Sequence, residues 1–316
     1  MKSRRASREA KTCGRLQAAN ASIGFSEQIA RAGLRGKHSA AIVLLLLLSF
    51  GSRSVAANWQ STLTKDPPGN FPALRPLRAT YRFGWSGLTA ATGEVHFGSG
   101  LTAATGEVHF TKTSEGRFQL DGTGRTIGFV RALWKLDVNY RALAHAQTLR
   151  PVETLQTEDY RSKKITTHLS FTNNGVSRAR TEGQGGSAGT KTREFRFPNL
   201  FDLHSAMLYL RSQPLSERST HRVVVYPATS AYLATITVLG REKISVRAGT
   251  YTAIKIDLQL NRIGKKLDLQ PHRKFRRATI WISDDADRIL LRIEAQVFVG
   301  TVFAELQSLR FDSARS

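Results

Sequence analysis

The chain has 316 residues and a formal net charge of +23, because Lys and Arg outnumber Asp and Glu by 47 to 24. Its single cysteine, Cys13, excludes a disulfide framework, a zinc ribbon and a thiol nucleophile in the rest of the chain. The first 57 residues hold ten of the basic and two of the acidic residues, so the basic excess continues downstream. Such an excess favours anionic partners such as lipid headgroups and acidic glycans. A compositional bias toward Arg across the genome explains it equally well.

The N-terminal segment has the three parts of a secretory signal peptide. Basic residues including Arg31 and Arg35 precede an apolar run at 39–50, and small residues follow the run up to Ala57. We therefore predict cleavage after Ala57 and a periplasmic location, with residues 1–57 forming a disordered basic leader plus the signal peptide. The alternative is an inner-membrane anchor through residues 39–50, although a span needs roughly 20 apolar residues and this run has 12.

A direct repeat interrupts the start of the β-rich region. After a proline-rich, extended lead-in at 58–77, alternation through Phe83 and Trp85 predicts a first strand. The sequence SGLTAATGEVHF then occurs at 86–97 and again at 99–110. Because the offset of 13 residues is odd, one continuous strand through both copies would exchange its core and solvent faces. We expect one copy to loop out or to form its own hairpin, and either copy fits the native strand.

Short strands with turns between them are predicted along the rest of the chain. Alternation is most regular at 251–260 and 291–297, and one buried and one exposed face is typical of antiparallel sheet. The Asn174-Gly175 pair predicts a hairpin turn, and the glycine-rich stretch at 183–189 predicts a flexible loop. Further strands are predicted at 117–123, 136–144, 152–160, 165–171 and 193–197.

Helix signals are few. Residues 127–134 fit either a short helix or an apolar crossing segment. Residues 202–213 predict one amphipathic helix, because Leu203, Met207 and Leu210 recur at helical spacing along one stripe. A lone apolar helix in a β-rich chain is expected to cover the open side of a curved sheet.

These elements predict a mainly β protein. We expect a large curved antiparallel sheet, an open or half barrel, with the amphipathic helix covering its open side. No linker is evident after residue 77, so residues 78–311 are predicted to form a single β-rich domain, followed by a tail at 312–316.

Two groups of polar residues resemble reactive or metal sites by residue type. Asp202, His204 and Ser205 are the types of a hydrolase triad, but on one helix they point about 200° and 100° apart and cannot form a relay. We interpret Asp202 and Ser205 as residues of the first helical turn and His204 as a surface or rim residue. The acidic stretch at 284–287 offers oxygen ligands for Ca²⁺, but it lacks EF-hand spacing and a hairpin turn is favoured.

The strongest local charge lies at residues 262–277, which hold seven Lys or Arg and one Asp. Guanidinium groups match phosphate oxygens well, so Arg273, Lys274, Arg276 and Arg277 are candidates to meet an anionic headgroup. A solvated hairpin loop is the alternative and is favoured. The sequence has no glycine-rich phosphate loop and no Cys/His cluster, so we predict no cofactor and no metal. The exported location argues against a nucleic-acid partner.

Four motifs occur in a characteristic order. Asp202-x-x-Ser205-Ala206-x-x-Tyr209-x-Arg211 is followed by VLGREKISVRAGTYTAIKI at 238–256, ATIWISDDADRILLRI at 278–293 and a final strand around Gly300. In this order they resemble the exported bacterial family catalogued as domain of unknown function 3108, over residues 78–311. The resemblance implies an envelope protein with a strongly bent antiparallel sheet, similar by fold-level analogy to the open barrels of periplasmic lipoprotein carriers. The family has no established reaction, so the resemblance supplies no catalytic residue.

The preferred functional hypothesis is a periplasmic, non-catalytic binder or carrier of an amphipathic or anionic envelope molecule such as a lipid or glycan, with transient membrane contact. Alternatives are an enzyme acting on envelope polymers, with Asp284, Asp285 or His204 contributing, and an assembly partner without a ligand. The candidate ligand-binding residues are Leu203, Met207, Leu210, Arg273, Lys274, Arg276 and Arg277.

Overall fold

The computed structural model describes residues 58–69, 75–86, 101–184, 187–272, 275–297 and 300–312. The predicted leader and signal peptide lie outside these ranges, as do most of the first repeat copy, Arg273, Lys274 and nearly all of the C-terminal tail. The side chain of Arg276 also lies outside the described part of the chain.

The described residues form one open antiparallel sheet of fifteen strands, so the predicted mainly β architecture is confirmed. The order across the sheet is β8-β7-β6-β5-β4-β3-β2-β1-β15-β14-β13-β11-β10-β9, with β12 beside β11. The strands are β1 Leu77–Ser86, β2 Leu101–Lys112, β3 Arg117–Thr126, β4 Leu136–His145, β5 Pro151–Tyr160, β6 Lys164–Thr172, β7 Gly175–Gln184, β8 Ser187–Arg196, β9 Thr220–Val225, β10 Tyr232–Val246, β11 Gly249–Ile263, β12 Leu269–Pro271, β13 Phe275–Ser283, β14 Leu290–Val297 and β15 Gly300–Phe311.

Two α-helices accompany the sheet in the described chain: α1 at Gly128–Leu133 and α2 at Leu203–Ser212. Helix α1 resolves the ambiguous apolar segment as a short helix and corrects the prediction of a single helix. The lead-in is also less extended than predicted, because Trp59–Thr62 forms a turn of 3₁₀ helix. Among the described residues, neither helix has the length and apolar character needed to cross a membrane.

The second copy of the repeat occupies the native strand. It forms most of β2, which pairs with β1 on one side and β3 on the other. Its Phe110 is buried and Val108 packs beside it on the same face. A shift of β2 by one residue would move Val108 and Phe110 to the opposite face, so burial of these two side chains favours the observed register.

Two predictions concern the turns on either side of β7, and one was confirmed while the other was wrong. Asn174-Gly175 does connect β6 to β7, and a Cβ at Gly175 would lie 2.3 Å from the carbonyl oxygen of Phe195, so only glycine fits. The predicted flexible loop is largely strand, because Gly183 pairs with Ala188 across β7 and β8. Cross-strand hydrogen bonds here outweigh the low strand propensity of glycine.

Helix α2 packs between two parts of the core. Leu208 joins a central cluster with Phe110 and Phe118, whereas Tyr209 and Leu210 join a second cluster on the side of β9–β11. The buried face of helix α2 is therefore wider than the predicted apolar stripe and is rotated away from it. Leu203 is 53% exposed, which corrects its predicted place on the buried face.

Candidate ligand-binding cavity

An apolar cavity of about 970 Å³ lies on the sheet face that carries the central cluster. Its walls come from β1–β4, α1, β14 and β15. Apolar side chains that line it include Phe83, Leu120, Val138, Ile293 and Val302. A volume of this size is within the range of pockets that hold drug-sized ligands.

The cavity exists because small residues replace large ones along one face of two neighbouring strands. On β3, Phe118 is buried, and Gly122 and Gly124 follow it at alternate positions of the same face. On β2, Phe110 is buried, and Ala104 lies farther along the same face and lines the cavity with its small side chain. One end of this face is therefore filled by phenylalanine rings, and the other end is hollow.

The hollow end has room for additional side-chain atoms. A Cβ placed on Gly124 would meet only the carbonyl oxygen of Thr105, at 3.9 Å. A Cβ placed on Gly122 would meet the Cβ of Tyr140 at 3.6 Å. Both are ordinary van der Waals distances, so a larger residue would fit the backbone at either position. The glycines are therefore not needed for the fold, but they keep the cavity open.

Large apolar side chains remain exposed at the mouth of the cavity. Phe129 and Leu133 of α1 are 70% and 69% exposed, Trp134 is 53% exposed and Phe83 on β1 is 40% exposed. All four also line the cavity. A contiguous exposed apolar patch on a folded protein is typical of a surface that binds a ligand, a membrane or another protein.

Polar contacts hold helix α1 in place, and its apolar side chains line the cavity. Nη1 and Nη2 of Arg131 donate to the Asp137 carboxylate at 2.7 and 3.0 Å. The hydroxyl of Thr126 donates to the carbonyl of Trp134 at 3.0 Å and accepts from the amide of Leu136 at 3.1 Å. The Arg131 hydrogen bond also holds the pKa of Asp137 below its usual value. The helix is thus a fixed part of the wall.

Charge at the cavity is sparse. Arg125, exposed on β3, is the one charged residue among the described lining residues. It directly follows Gly124 along the strand, so its side chain starts from the opposite face of the sheet. Its neighbour across the strand pair is Asp137, whose carboxylate binds Arg131.

Four of the residues predicted from the sequence to bind ligand have described side chains, Leu203, Met207, Leu210 and Arg277, and none of the four lines the cavity. Leu210 is buried and Met207 partly buried in the second core cluster. Arg277 on β13 forms an ion pair with Asp257, a nearly buried carboxylate. The basic segment itself is a hairpin region, with β12 paired to β11.

Asp202 and Ser205, two of the three polar residues at the start of helix α2, cap the helix. Oδ1 of Asp202 accepts from the amide of Ser205 at 2.7 Å, and the Ser205 hydroxyl accepts from the amide of Asp202 at 3.0 Å. This capping box confirms the predicted role of both residues. The other Asp202 oxygen accepts from the Thr154 hydroxyl at 2.6 Å. His204 is buried, not at the surface as predicted, because its ring packs beside Phe110 under the helix.

The acidic stretch forms the predicted hairpin turn between β13 and β14. Asp285 accepts from the Ser283 hydroxyl at 2.7 Å and from the Arg288 amide at 2.9 Å. Asp284 pairs with Arg241 at 2.8 Å, and Asp287 pairs with an arginine of the lead-in. Over the described parts of the chain, no three His, Cys, Asp or Glu side chains gather as a metal ion would require.

The residues that create the cavity were not among those predicted from the sequence, although a signal was present. Gly122 lies within the strand predicted at 117–123, and Gly124 follows the end of that prediction by one residue, at the next position of the same face. Glycine in a strand interior often marks a close approach or a space for a ligand. The exposed apolar residues of α1 belong to the segment whose sequence fitted two interpretations.

The open, strongly bent antiparallel sheet with an internal apolar cavity defines a β-barrel-like protein. A solved structure of this class is the β-barrel-like protein of domain of unknown function DUF1849 from Brucella abortus, with a TM-score of 0.52 and 10% identity over 76% of this chain and 99% of that one. A candidate lipoprotein from Parabacteroides distasonis aligns with 8% identity over 78% of this chain and all of that one, but its TM-score of 0.31 carries no structural argument. At these identities the likeness concerns the fold alone.

The chain belongs to the family described as protein of unknown function (DUF3108), which matches residues 92–307. The match covers most of the described sheet and confirms the family resemblance seen in the sequence motifs. No curated protein gives a significant match.

Proposed function

We propose that this protein is an exported, non-catalytic binder of an amphipathic molecule. The observation that carries the proposal is the cavity of about 970 Å³, whose described lining is apolar except for a few hydroxyl groups and Arg125. Removing apolar ligand surface from water there is favourable by roughly 25 cal/mol per Å². The exposed rings and leucine of α1 extend the apolar surface out of the cavity toward solvent.

The proposed ligand has a direction. Its apolar part occupies the hollow beside Gly122 and Gly124, and an anionic group at its end lies at the mouth. Arg125, the exposed basic residue of the lining, is the proposed contact for this group. A charge-assisted hydrogen bond to a carboxylate or phosphate would add specificity to an otherwise non-directional site. The basic residues at 273–277 are a proposed secondary contact for an anionic surface.

Export is part of the same proposal and rests on the leader. The apolar run at 39–50, its basic flank and the small residues before Ala57 have the form of a secretory signal peptide. A periplasmic protein with an apolar cavity would encounter amphipathic envelope molecules. N-terminal sequencing of the mature protein tests the predicted cleavage after Ala57.

The direct test is native mass spectrometry of the protein purified from its own periplasm. We expect a lipid-sized adduct on the wild type. Gly124→Leu places a side chain in the hollow and should remove the adduct. Gly189→Leu is the matched control and should retain the adduct, because a Cβ added at this position of edge strand β8 would meet nothing within 4 Å.

Two results would contradict the proposal. One is a wild-type protein with no adduct that also fails to bind the apolar fluorescent probe 1-N-phenylnaphthylamine. The other is a folded Gly124→Leu variant that binds the probe as tightly as the wild type, since filling the hollow by a leucine side chain should weaken binding about tenfold or more.

A further inference from the structure

A second pocket, of about 570 Å³, shares no lining residue with the apolar cavity. Residues 60–66 of the lead-in form one wall, and the β4–β5 turn, the segment before α2 and the start of β9 supply the others. Its described lining has one carboxylate, Asp66, and four basic side chains: Lys65, Arg150, Arg196 and Arg222. The pocket is therefore electropositive.

Arg150 is a half-buried basic residue of this pocket and has no carboxylate partner in the described chain. Its Nη1 atom is buried without a hydrogen-bond partner, and its guanidinium lies 4.7 Å from the centre of the Phe201 ring. Burial lowers the pKa of Arg150, and the opposing electrostatic contribution comes from Tyr209 rather than from a carboxylate. Arginine nevertheless stays protonated at neutral pH, so this is a partly desolvated cation.

The other basic side chains of the pocket differ from Arg150. Nη1 of Arg222 donates to the Thr62 hydroxyl at 2.8 Å, and Nη2 of Arg196 lies 3.7 Å from the Glu194 carboxylate. Lys65 is exposed to solvent. Among the basic residues of the pocket, Arg150 is thus the one with a buried N–H donor, Nη1, that has no hydrogen-bond acceptor in the described chain. A buried charged donor without a partner is costly, and such a group in a native structure calls for an explanation.

The pocket walls are held in place by hydrogen bonds. The amide of Thr64 donates to the carbonyl of Arg222 at 2.9 Å, and the amide of Arg222 donates to the Thr64 hydroxyl at 2.8 Å. The Tyr209 hydroxyl donates to the carbonyl of Asp66 at 2.9 Å. The lead-in is therefore fastened across the pocket, and this wall is in place before any ligand arrives.

From these observations we propose that the pocket binds a compact anionic group, a phosphate or a carboxylate, through the guanidinium of Arg150. The planar fork of arginine matches two oxygens of such a group. Lys65 and the other arginines raise the local positive potential, and Phe201 supports the guanidinium plane. The site is separate from the proposed amphipathic ligand, so either proposal can fail without the other.

The test uses the full purified protein and inorganic phosphate as the probe. Isothermal titration calorimetry at constant ionic strength should show saturable binding to the wild type that matching sodium chloride does not produce. Arg150→Met should weaken phosphate binding about tenfold or more, and Arg150→Lys should have an intermediate effect because it keeps the charge and loses the fork. Arg247→Met, which replaces an exposed arginine in the β10–β11 turn, should bind phosphate as the wild type does.

A second experiment distinguishes a lipid headgroup from a soluble anion. Vesicles of phosphatidylcholine with and without phosphatidylglycerol are sedimented with the wild type and with Arg150→Met. Loss of both vesicle and phosphate binding in the variant assigns the site to a headgroup, and loss of phosphate binding alone assigns it to a soluble anion. No saturable phosphate binding by the wild type, or undiminished binding by Arg150→Met, would overturn the proposal.

Thermal unfolding without phosphate separates binding from a purely structural role. Because Arg150 has no carboxylate partner in the described chain, Arg150→Met should keep or raise the Tm. A lower Tm together with unchanged phosphate affinity would show that Arg150 supports the fold and not a ligand.

Discussion

The ring of Phe83 occupies the space that a side chain at Gly106 would need. A Cβ on Gly106 would lie 3.0 Å from Cε2 of Phe83 and 2.8 Å from the carbonyl oxygen of Thr123. Phe83 on β1 also lines the cavity, so this glycine lets the ring lie close to the sheet and form part of the wall. Gly106 and Gly124 are opposite each other, yet they have different roles: one accommodates a ring and the other leaves a hollow.

Gly106→Ala should therefore be destabilising, by about 1–3 kcal/mol, because the Thr123 carbonyl belongs to the backbone and cannot move easily. Gly124→Ala is the matched control and should leave the free energy of unfolding unchanged or raise it by about 0.4–1 kcal/mol. Urea denaturation of the two variants measures the difference. Equal effects would show that the close approach at Gly106 is not a constraint on the fold.

Phe129→Ser should weaken ligand binding without unfolding the protein. The side chain is 70% exposed, so its loss removes little buried area and should change stability by no more than about 0.5 kcal/mol. Binding of 1-N-phenylnaphthylamine should weaken about tenfold, because the probe loses apolar contact at the mouth. Leu239→Ser, at another exposed apolar residue outside the cavity lining, is the control. A similar loss of binding in both variants would exclude a specific role for α1.

Removing one repeat copy should give a protein of equal or higher Tm. Deletion of residues 86–98 and deletion of 98–110 produce the same sequence, because the copies are identical. Trp85 pairs with Leu101, so the shortened chain would join these two residues through Ser-Gly, a two-residue hairpin loop. A fall of more than about 5 °C in differential scanning calorimetry would show that the additional 13 residues contribute to the sheet.

Stability should decrease as the pH falls through the range in which buried histidine must take up a proton. Burial is the main cause that lowers the pKa of His204, and the nearby Asp202 charge opposes it. Since the folded value lies below the unfolded value of about 6.5, the unfolded state binds more protons between the two values. The stabilising contribution of neutral His204 is therefore complete above about pH 6.5 and is lost below it.

The measurement is the urea midpoint between about pH 7.5 and about pH 5. His204→Gln should make the pH dependence shallower, and His145→Gln, at an exposed histidine, should not change it. His221 is also buried with a lowered pKa, so part of the dependence should remain until it too is replaced. An identical slope in His204→Gln and the wild type would exclude this role for His204.

Local sequence patterns were enough to predict much of the sheet and the start of helix α2. Because burial in a strand alternates with a period of two, strands such as β11 and β14 were evident from the alternation of apolar and polar residues. The role of Asp202 and Ser205 in the first helical turn could be predicted because it depends on contacts between residues only three apart, and the structure shows this role as a capping box. The prediction of a flexible loop at 183–189 was wrong for its described residues. They form strands because β7 and β8 pair with each other, which no local pattern reveals.

The sequence by itself determined that the protein is β-rich, basic and a member of the DUF3108 family. Only the tertiary structure decided where the candidate site lies. A cavity is a property of several strands at once, because the space beside Gly122 and Gly124 depends on which residues β2 and β4 place opposite them. Likewise, Arg150 became a candidate ligand-binding residue only when folding buried part of its guanidinium beside Phe201 without a carboxylate, which no spacing along the chain reveals.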